Sequence, residues 1–199
     1  MPVFPSIEGE PDLAKVFRRF PHTVLPLLDY HDRLLRDWSP LTVAERELIA
    51  AYVSGLNACT YCHGAHVVAA RAFGIDSDLF EGLMADLATS AVDEKLKPIL
   101  AYVGKLTRTP AMMTEADAAA VYAAGWDEQA LFDAVSVCAL FNFMNRIVEG
   151  CGIKANPLAA SPAELEARLA RMGGSTADPH VGEPSYKRLA AMWGIDPQA

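Results

Sequence analysis

Two cysteines and a histidine lie close together in the sequence, at the spacing of a helix. Cys59 and Cys62 are three residues apart, and His66 follows Cys62 by four residues. On a helix the two cysteine Cα atoms lie about 5 Å apart, inside the range of about 4.4–6.8 Å that a disulfide requires. The pair can therefore cycle between dithiol and disulfide with little backbone movement.

The start of a helix also favours the ionised form of a cysteine. Unpaired N–H groups and the positive end of the helix dipole lower a cysteine pKa from about 8.5 to about 3.5–7.5. His66 is rotated from Cys62 by only about 40° around the helix, so the imidazole can take up the thiol proton, directly or through one water. Glu47 lies on the preceding helix, and an antiparallel turn at 56–58 brings its carboxylate toward His66, where it orients the ring. These four residues are the predicted catalytic group.

Capping and breaking residues predict the helices that position this group. Thr42 and Glu45 have the spacing of a capping box, which opens a helix reaching about Asn57, and the next helix begins near Cys59 and stops at Gly74. The other predicted helical segments are Leu13 to Asp37 with a break near Pro21 or Pro26, Asp78 to Ala88, Asp93 to Arg108, Thr114 to Gly125, Asp127 to Gly150, Ala163 to Met172 and Ser185 to Trp193. No long alternation of β-branched and polar residues occurs. The sequence predicts an all-α fold.

Length and composition predict one compact helical bundle. The chain has 199 residues, of which 52% are apolar and 21% charged, so a core of ordinary size can be buried. We expect a main domain at 1–154, with its core at 41–154. The remainder, 155–199, is expected to be a C-terminal helix and tail that dock on the body or on a neighbouring subunit through Tyr186, Leu189 and Trp193.

Charge and hydropathy narrow the classes of partner. The net charge of −8 argues against a general nucleic-acid binder or a binder of anionic membranes, which need a basic face. The first twelve residues lack the basic start and apolar stretch of a secretory signal, and no apolar run approaches the about 18 residues of a membrane span. We therefore expect a cytoplasmic location, where thiols stay reduced.

The reactive residues also resemble a known family. The pattern Glu-x11-Cys-x2-Cys-x3-His, met by Glu47, Cys59, Cys62 and His66, is similar to the signature of the alkyl hydroperoxidase D and carboxymuconolactone decarboxylase superfamily. The segment 141–149, FNFMNRIVE, resembles the long helix of its peroxidase-related subgroup. Together these features cover 41–154. The resemblance implies an all-helical, AhpD-like, homo-oligomeric protein that reduces hydroperoxides.

The resemblance also implies a role for each residue. Cys62 is the peroxidatic thiolate that becomes a sulfenic acid, Cys59 resolves it into a Cys59–Cys62 disulfide, and His66 with Glu47 is the proton relay. The expected partners are a small hydroperoxide and a dithiol reductant such as a lipoyl carrier or a thioredoxin-like protein; no cofactor or metal is expected. The family's hydroperoxidases carry a histidine directly before the second cysteine. Here that residue is Tyr61, whose phenol is a poorer base near pH 7.

Other interpretations of the same residues remain. Cys-x-x-Cys-His is the attachment string of haem c, which needs export, and zinc would need a fourth ligand besides Cys59, Cys62 and His66. Cys138 and Cys151 are separated by about 20 Å of rise on the predicted helix, so they cannot supply it jointly and are expected to be packed thiols.

Two other functions fit the same scaffold. One is a carboxymuconolactone decarboxylase-like lyase, against which the cysteine pair argues, because those decarboxylases generally lack it. The other is a redox sensor whose disulfide changes oligomer packing without turnover. In the long helix, Asn145 and Arg146 are unusual among apolar neighbours, and Arg146 is expected to pair with a buried acid or to brace an oligomer contact.

Overall fold

The computed structural model describes residues 3–161, 163–164, 166–167 and 177–195. Within these residues the chain is helical and contains no strand, so the predicted all-α fold is confirmed. The helices are α1 (Leu13–Arg19), α2 (Val24–Arg36), α3 (Val43–Leu56), α4 (Thr60–Ala72), α5 (Asp78–Ala85), α6 (Lys97–Arg108), α7 (Glu115–Ala123), α8 (Glu128–Gly150) and α9 (Tyr186–Met192). Short 3-10 turns cover Pro21–Thr23, Pro110–Met112 and Pro157–Ala159.

The helix ends follow the expected local chemistry, with two differences, at the start of α6 and the end of α5. The N-terminal break falls at Pro21, and Pro26 lies in the first turn of α2, where its missing N–H costs nothing. Helix α6 begins at Lys97 rather than near Asp93, because the Asp93 carboxylate accepts the N–H of Lys95 in a turn. Helix α5 ends at Ala85 rather than Ala88, because Asp86 is extended there.

The α3–α4 hairpin lies at the centre of the fold. The capping box of Thr42 and Glu45 opens α3 as predicted, and the turn to α4 passes through Ala58, whose φ of +54° is in the left-handed region. Helix α3 also packs on α6 and α8, and its apolar side chains are buried nearly all round. By length and composition α8 is the one described helix that could cross a bilayer, but half of that stretch is buried inside the protein, as in a central bundle helix.

The C-terminal segment lies against the body of the same chain. Helix α9 packs on α2, and the Asp32 carboxylate accepts the backbone N–H groups of Ser185, Tyr186 and Lys187 at 2.7–2.9 Å. The preceding stretch is fixed by a hydrogen bond from Gly182 N to Arg36 O. Of the helix predicted from Ala163 to Met172, the cap formed by Ser161 and Glu164 is present, and most of the rest lies outside the described residues.

Candidate active site

The α3–α4 hairpin brings Glu47 against His66. Both side chains are buried, and Glu47 Oε2 lies 2.6 Å from His66 Nδ1. Because a carboxylate only accepts hydrogen bonds, the Nδ1 atom carries the proton and Nε2 is left to accept or donate one. The carboxylate thus fixes the orientation and the tautomer of the imidazole, as the sequence suggested.

A third member of this relay was missed by the sequence analysis. Arg36, at the end of α2, places Nη1 2.6 Å from the second oxygen of Glu47, and both side chains are fully buried. The guanidinium lies between the rings of Phe73 and Tyr186, 5.0 and 5.4 Å from their centroids. Burial by itself raises the pKa of Glu47, but the Arg36 cation and His66 outweigh it and lower that pKa to about 2. Glu47 is therefore ionised at neutral pH.

The missed residue had a signal in the sequence. Leu28, His31, Asp32, Leu35 and Arg36 follow the i, i+3, i+4, i+7, i+8 spacing that places side chains on one helix face, and all five are buried. Polar residues that share a stripe with leucines point into the protein. The periodicity of α2 therefore indicates inward-facing polar groups, although not their partners.

The two cysteines differ in exposure and in acidity. Cys59 is the N-cap residue of α4 and is fully buried, whereas Cys62, in the first turn, is 4% exposed and lines a cavity. The hydrogen bond from the Cys62 side chain lowers the pKa of Cys59, and the same interaction, together with burial, raises the pKa of Cys62. Of the two thiols, Cys59 is therefore the more acidic. The expectation of an acidified thiol at this helix start therefore applies to Cys59 and not to Cys62.

A polar cluster from α8 lies beneath the cysteines. Asn145 is buried, accepts from the Asn57 amide at 2.9 Å and donates to Ser54 Oγ at 3.0 Å, which ties α8 to the turn of the hairpin. The Asn145 side chain also acts on Cys62, where it favours the thiolate. Arg146 is exposed and hydrogen-bonds Asn142 on its own helix, so the expected pairing with a buried acid is wrong.

The cavity beside Cys62 has a volume of about 340 Å³. Its walls come from five helices, with Cys62 and His66 from α4 among the lining residues and apolar side chains such as Leu13, Phe17 and Leu189 around them. This volume is in the range of sites for small organic molecules. A small apolar molecule in this cavity would therefore border both a thiol and an imidazole.

The remaining cysteines lie apart from this group. Cys138 is buried and contacts the hydroxyl of Thr107 at 3.3 Å, while Cys151 caps the C-terminus of α8. Burial raises the pKa of both thiols. In the described part of the chain, no three His, Cys, Asp or Glu side chains are grouped so that they could hold a metal ion.

Part of the chain matches a known protein family. Residues 21–103 match the model of the carboxymuconolactone decarboxylase family, and this segment contains Glu47, Cys59, Cys62 and His66. A search of curated proteins found no match.

Two solved structures share the fold. An uncharacterized peroxidase-related protein from Silicibacter sp. TM1040 is 28% identical, with 73% of this chain and 76% of that chain covered and a TM-score of 0.67. An alkylhydroperoxidase AhpD core, an uncharacterized peroxidase-related protein from Ralstonia eutropha JMP134, is 22% identical over 78% of this chain and 91% of that chain, with a TM-score of 0.67. The resemblance inferred from the motif is confirmed: residues 21–103 match the model of the carboxymuconolactone decarboxylase family, and the chain shares the all-helical fold of AhpD-like, peroxidase-related proteins.

Proposed function

We propose that this chain is a thiol-dependent peroxidase, resembling alkyl hydroperoxide reductases, that reduces small hydroperoxides through the Cys59 and Cys62 dithiol. The observation that carries the proposal is that Cys62 and His66 line one apolar cavity, with Cys59 hydrogen-bonded to Cys62 and Glu47 hydrogen-bonded to His66. A nucleophile and a base therefore line one space, and the resolving thiol lies beside the nucleophile. The two structural neighbours are peroxidase-related proteins, which supports the proposal.

The proposed cycle begins with one proton leaving the cysteine pair for His66, whose ring the Glu47 carboxylate holds in place. With the remaining proton on Cys59, the Cys62 thiolate attacks the terminal oxygen of the hydroperoxide, the O–O bond breaks, and a Cys62 sulfenic acid and an alkoxide form. His66 returns its proton to the alkoxide, which leaves as the alcohol. The Cys59 thiol then attacks the Cys62 sulfur, and the disulfide forms with loss of water.

A dithiol reductant must return two electrons to the Cys59–Cys62 disulfide. A lipoyl carrier or a thioredoxin-like protein supplies this chemistry by thiol–disulfide exchange. A cytoplasmic location and a homo-oligomeric assembly are parts of the same proposal. No cofactor enters the cycle.

The test is peroxide consumption by the reduced protein with a dithiol donor in excess. We expect Cys62→Ser to abolish turnover and Cys59→Ser to stop after one equivalent, with a sulfenic acid on Cys62 that dimedone traps. Cys138→Ser, which removes a buried thiol outside the site, is the matched control and should keep the parental rate. Parental turnover in both site variants would overturn the mechanism.

The two rival functions predict different results in the same assay. A lyase would turn over a lactone acid in Cys59→Ser and Cys62→Ser alike. A sensor would change its oligomer size on oxidation and consume no more than one equivalent of peroxide with every donor.

A further inference from the structure

The cavity contains a second imidazole that the proposed cycle does not use. His31 of α2 lines the cavity with His66, and both rings pack edge-on against Phe141, at 6.1 and 4.2 Å between centroids. His31 is 2% exposed, and its second ring contact is Tyr186 at 4.8 Å. Two histidines from different helices thus border one space.

The two histidines have opposite surroundings. His31 Nδ1 lies 2.7 Å from the carbonyl oxygen of Leu27, which only accepts, so Nδ1 carries the proton. Burial lowers the pKa of His31 to about 4, against the smaller opposing effects of Leu27, Glu47 and Asp32. At neutral pH the ring is uncharged, and its Nε2 lone pair is a hydrogen-bond acceptor. His66, by contrast, is hydrogen-bonded through Nδ1 to the carboxylate of Glu47.

A hydroperoxide matches this pair of groups. It has one O–H donor on the terminal oxygen and a second oxygen that becomes negative when the O–O bond breaks. An acceptor is needed at the first oxygen and a proton donor at the second. Of the two imidazoles, His31 suits the first role, and His66, which is hydrogen-bonded to a carboxylate, suits the second.

The other residues that line the cavity favour a hydroperoxide whose organic group is uncharged. Among the described residues that line it, none is an aspartate, glutamate, lysine or arginine, and most are aliphatic or aromatic. A charged group on the substrate would lose its hydration there without a partner.

We propose that His31 is a substrate-binding residue whose neutral imidazole accepts the O–H of an uncharged organic hydroperoxide with a bulky apolar group. This inference rests on the proposed peroxidase function for its reaction. The hydrogen bond orients the terminal oxygen toward Cys62, the thiolate forms the S–O bond as the O–O bond breaks, and the terminal O–H becomes that of the sulfenic acid. The other oxygen leaves as an alkoxide and takes its proton from His66.

Binding tests this role without any turnover. The probes are 2-phenyl-2-propanol, which has one O–H donor on a bulky apolar group, and isopropylbenzene, which lacks the hydroxyl. In His31→Phe we expect the affinity for the alcohol to fall about tenfold and that for the hydrocarbon to change little, because one hydrogen bond to a buried acceptor is lost. His31→Gln, whose amide oxygen can accept, should restore most of the alcohol affinity. His22→Phe, at an exposed histidine, is the matched control.

A measurement on the unaltered protein covers the case in which the variants fail to fold. Titration with the alcohol should shift the ¹⁵N resonance of His31 Nε2, and titration with the hydrocarbon should shift it far less. Equal shifts with both probes, or equal alcohol affinities of His31→Phe and the parent, would overturn the role of His31.

Kinetics then separate this inference from the proposed function. We expect single-turnover oxidation of His31→Phe by cumene hydroperoxide to be about tenfold slower than that of the parent, with a smaller effect for hydrogen peroxide. A parent that binds the alcohol through His31 but consumes no peroxide supports the binding site and removes the peroxidase function. A parent that consumes peroxide at a rate independent of His31 retains the function and removes the inference.

Discussion

The Glu47 side chain lies between an arginine and a histidine, and its charge depends on both. The Arg36 guanidinium and the His66 ring each contact one of its oxygens at 2.6 Å in a fully buried position. Removing one member of such a group leaves an uncompensated buried charge, which costs far more than an exposed pair contributes. The stability of the site and the orientation of His66 are therefore linked.

A double-mutant cycle tests this link. We expect Arg36→Met to lower the free energy of unfolding in urea by about 3–5 kcal/mol, because the buried Glu47 carboxylate loses its arginine partner. Arg36→Met combined with Glu47→Gln should lose much less than the sum of the two single changes. Arg33→Met on the exposed face of the same helix is the control, and its effect should be small. Additive losses would contradict the pairing.

The buried His31 gives stability a dependence on pH. Its folded-state pKa of about 4 lies below the ordinary value of 6.5, so the unfolded chain binds the proton first. Stability from neutral His31 is fully present above pH 6.5 and is lost as the pH falls toward 4, by about 3 kcal/mol at about 1.4 kcal/mol for each pKa unit. The contribution of Glu47, with a pKa near 2 instead of 4.5, is lost only at lower pH. Urea unfolding of His31→Gln should show a flatter profile between pH 6.5 and 4, and an unchanged slope would contradict the assignment.

Helix α9 is held in place by hydrogen bonds at its first turn. Asp32 accepts three N–H groups that begin this short helix, and α9 provides part of the wall of the cavity. A helix of seven residues is not stable by itself in water. Its position therefore depends on this carboxylate and on packing against α2.

Loss of that carboxylate should loosen α9 more than the body. We expect Asp32→Ala to lower the free energy of unfolding by about 1–2 kcal/mol and to speed amide hydrogen exchange at 185–189. Asp86→Ala removes a similar cap after α5 and is the control; it should leave exchange at 185–189 unchanged. Uniform protection of α9 in Asp32→Ala would show that packing alone holds it.

The 3-10 turn Pro157–Ala159 packs closely against helix α4 at Gly64. A Cβ at Gly64 would lie 3.0 Å from Pro157 Cδ, so the 3-10 turn that lines the cavity must move. At Gly82 in α5 a Cβ would meet no atom within 4 Å. Alanine favours a helix over glycine by about 1 kcal/mol, so Gly82→Ala should stabilise the protein. We expect Gly64→Ala to gain less or to destabilise in thermal unfolding, and equal gains would show that the turn yields freely.

On the surface of the molecule, α8 has an exposed apolar face. Phe132 and Phe143 are 66% and 48% exposed, and their spacing of eleven residues places them about 20° apart around the helix. Exposed apolar patches of this kind are common at subunit interfaces. They agree with the proposed homo-oligomer, which stays a prediction.

Light scattering after gel filtration tests the assembly. We expect the parent to have the mass of two or more copies and Phe132→Glu combined with Phe143→Glu to have a lower mass, because two carboxylates would be buried at the interface. Met112→Glu, at an exposed residue that is not on α8, should leave the mass unchanged. A parent of single-chain mass would remove the oligomer from the proposal.

Most of the helices could be predicted from the sequence, because caps and glycines set the helix ends locally. The capping boxes at Thr42 and Thr114, the side-chain cap at Asp127 and the left-handed glycines at Gly74 and Gly125 act within a few residues, so their patterns predict the ends of α3, α4, α7 and α8. The same holds for the hairpin that joins Glu47 to His66. The short turn between α3 and α4, together with the regular spacing of side chains along each helix, is enough to bring these two residues into contact.

The tertiary structure decided which groups surround the motif. Arg36 and His31 reach the site from a helix that precedes the motif, and the cavity is completed by residues near the end of the chain. No spacing rule relates such distant segments, because their contact depends on how whole helices pack. The difference in acidity between Cys59 and Cys62 was decided in the same way, since it follows from burial and mutual hydrogen bonding rather than from position on the helix alone.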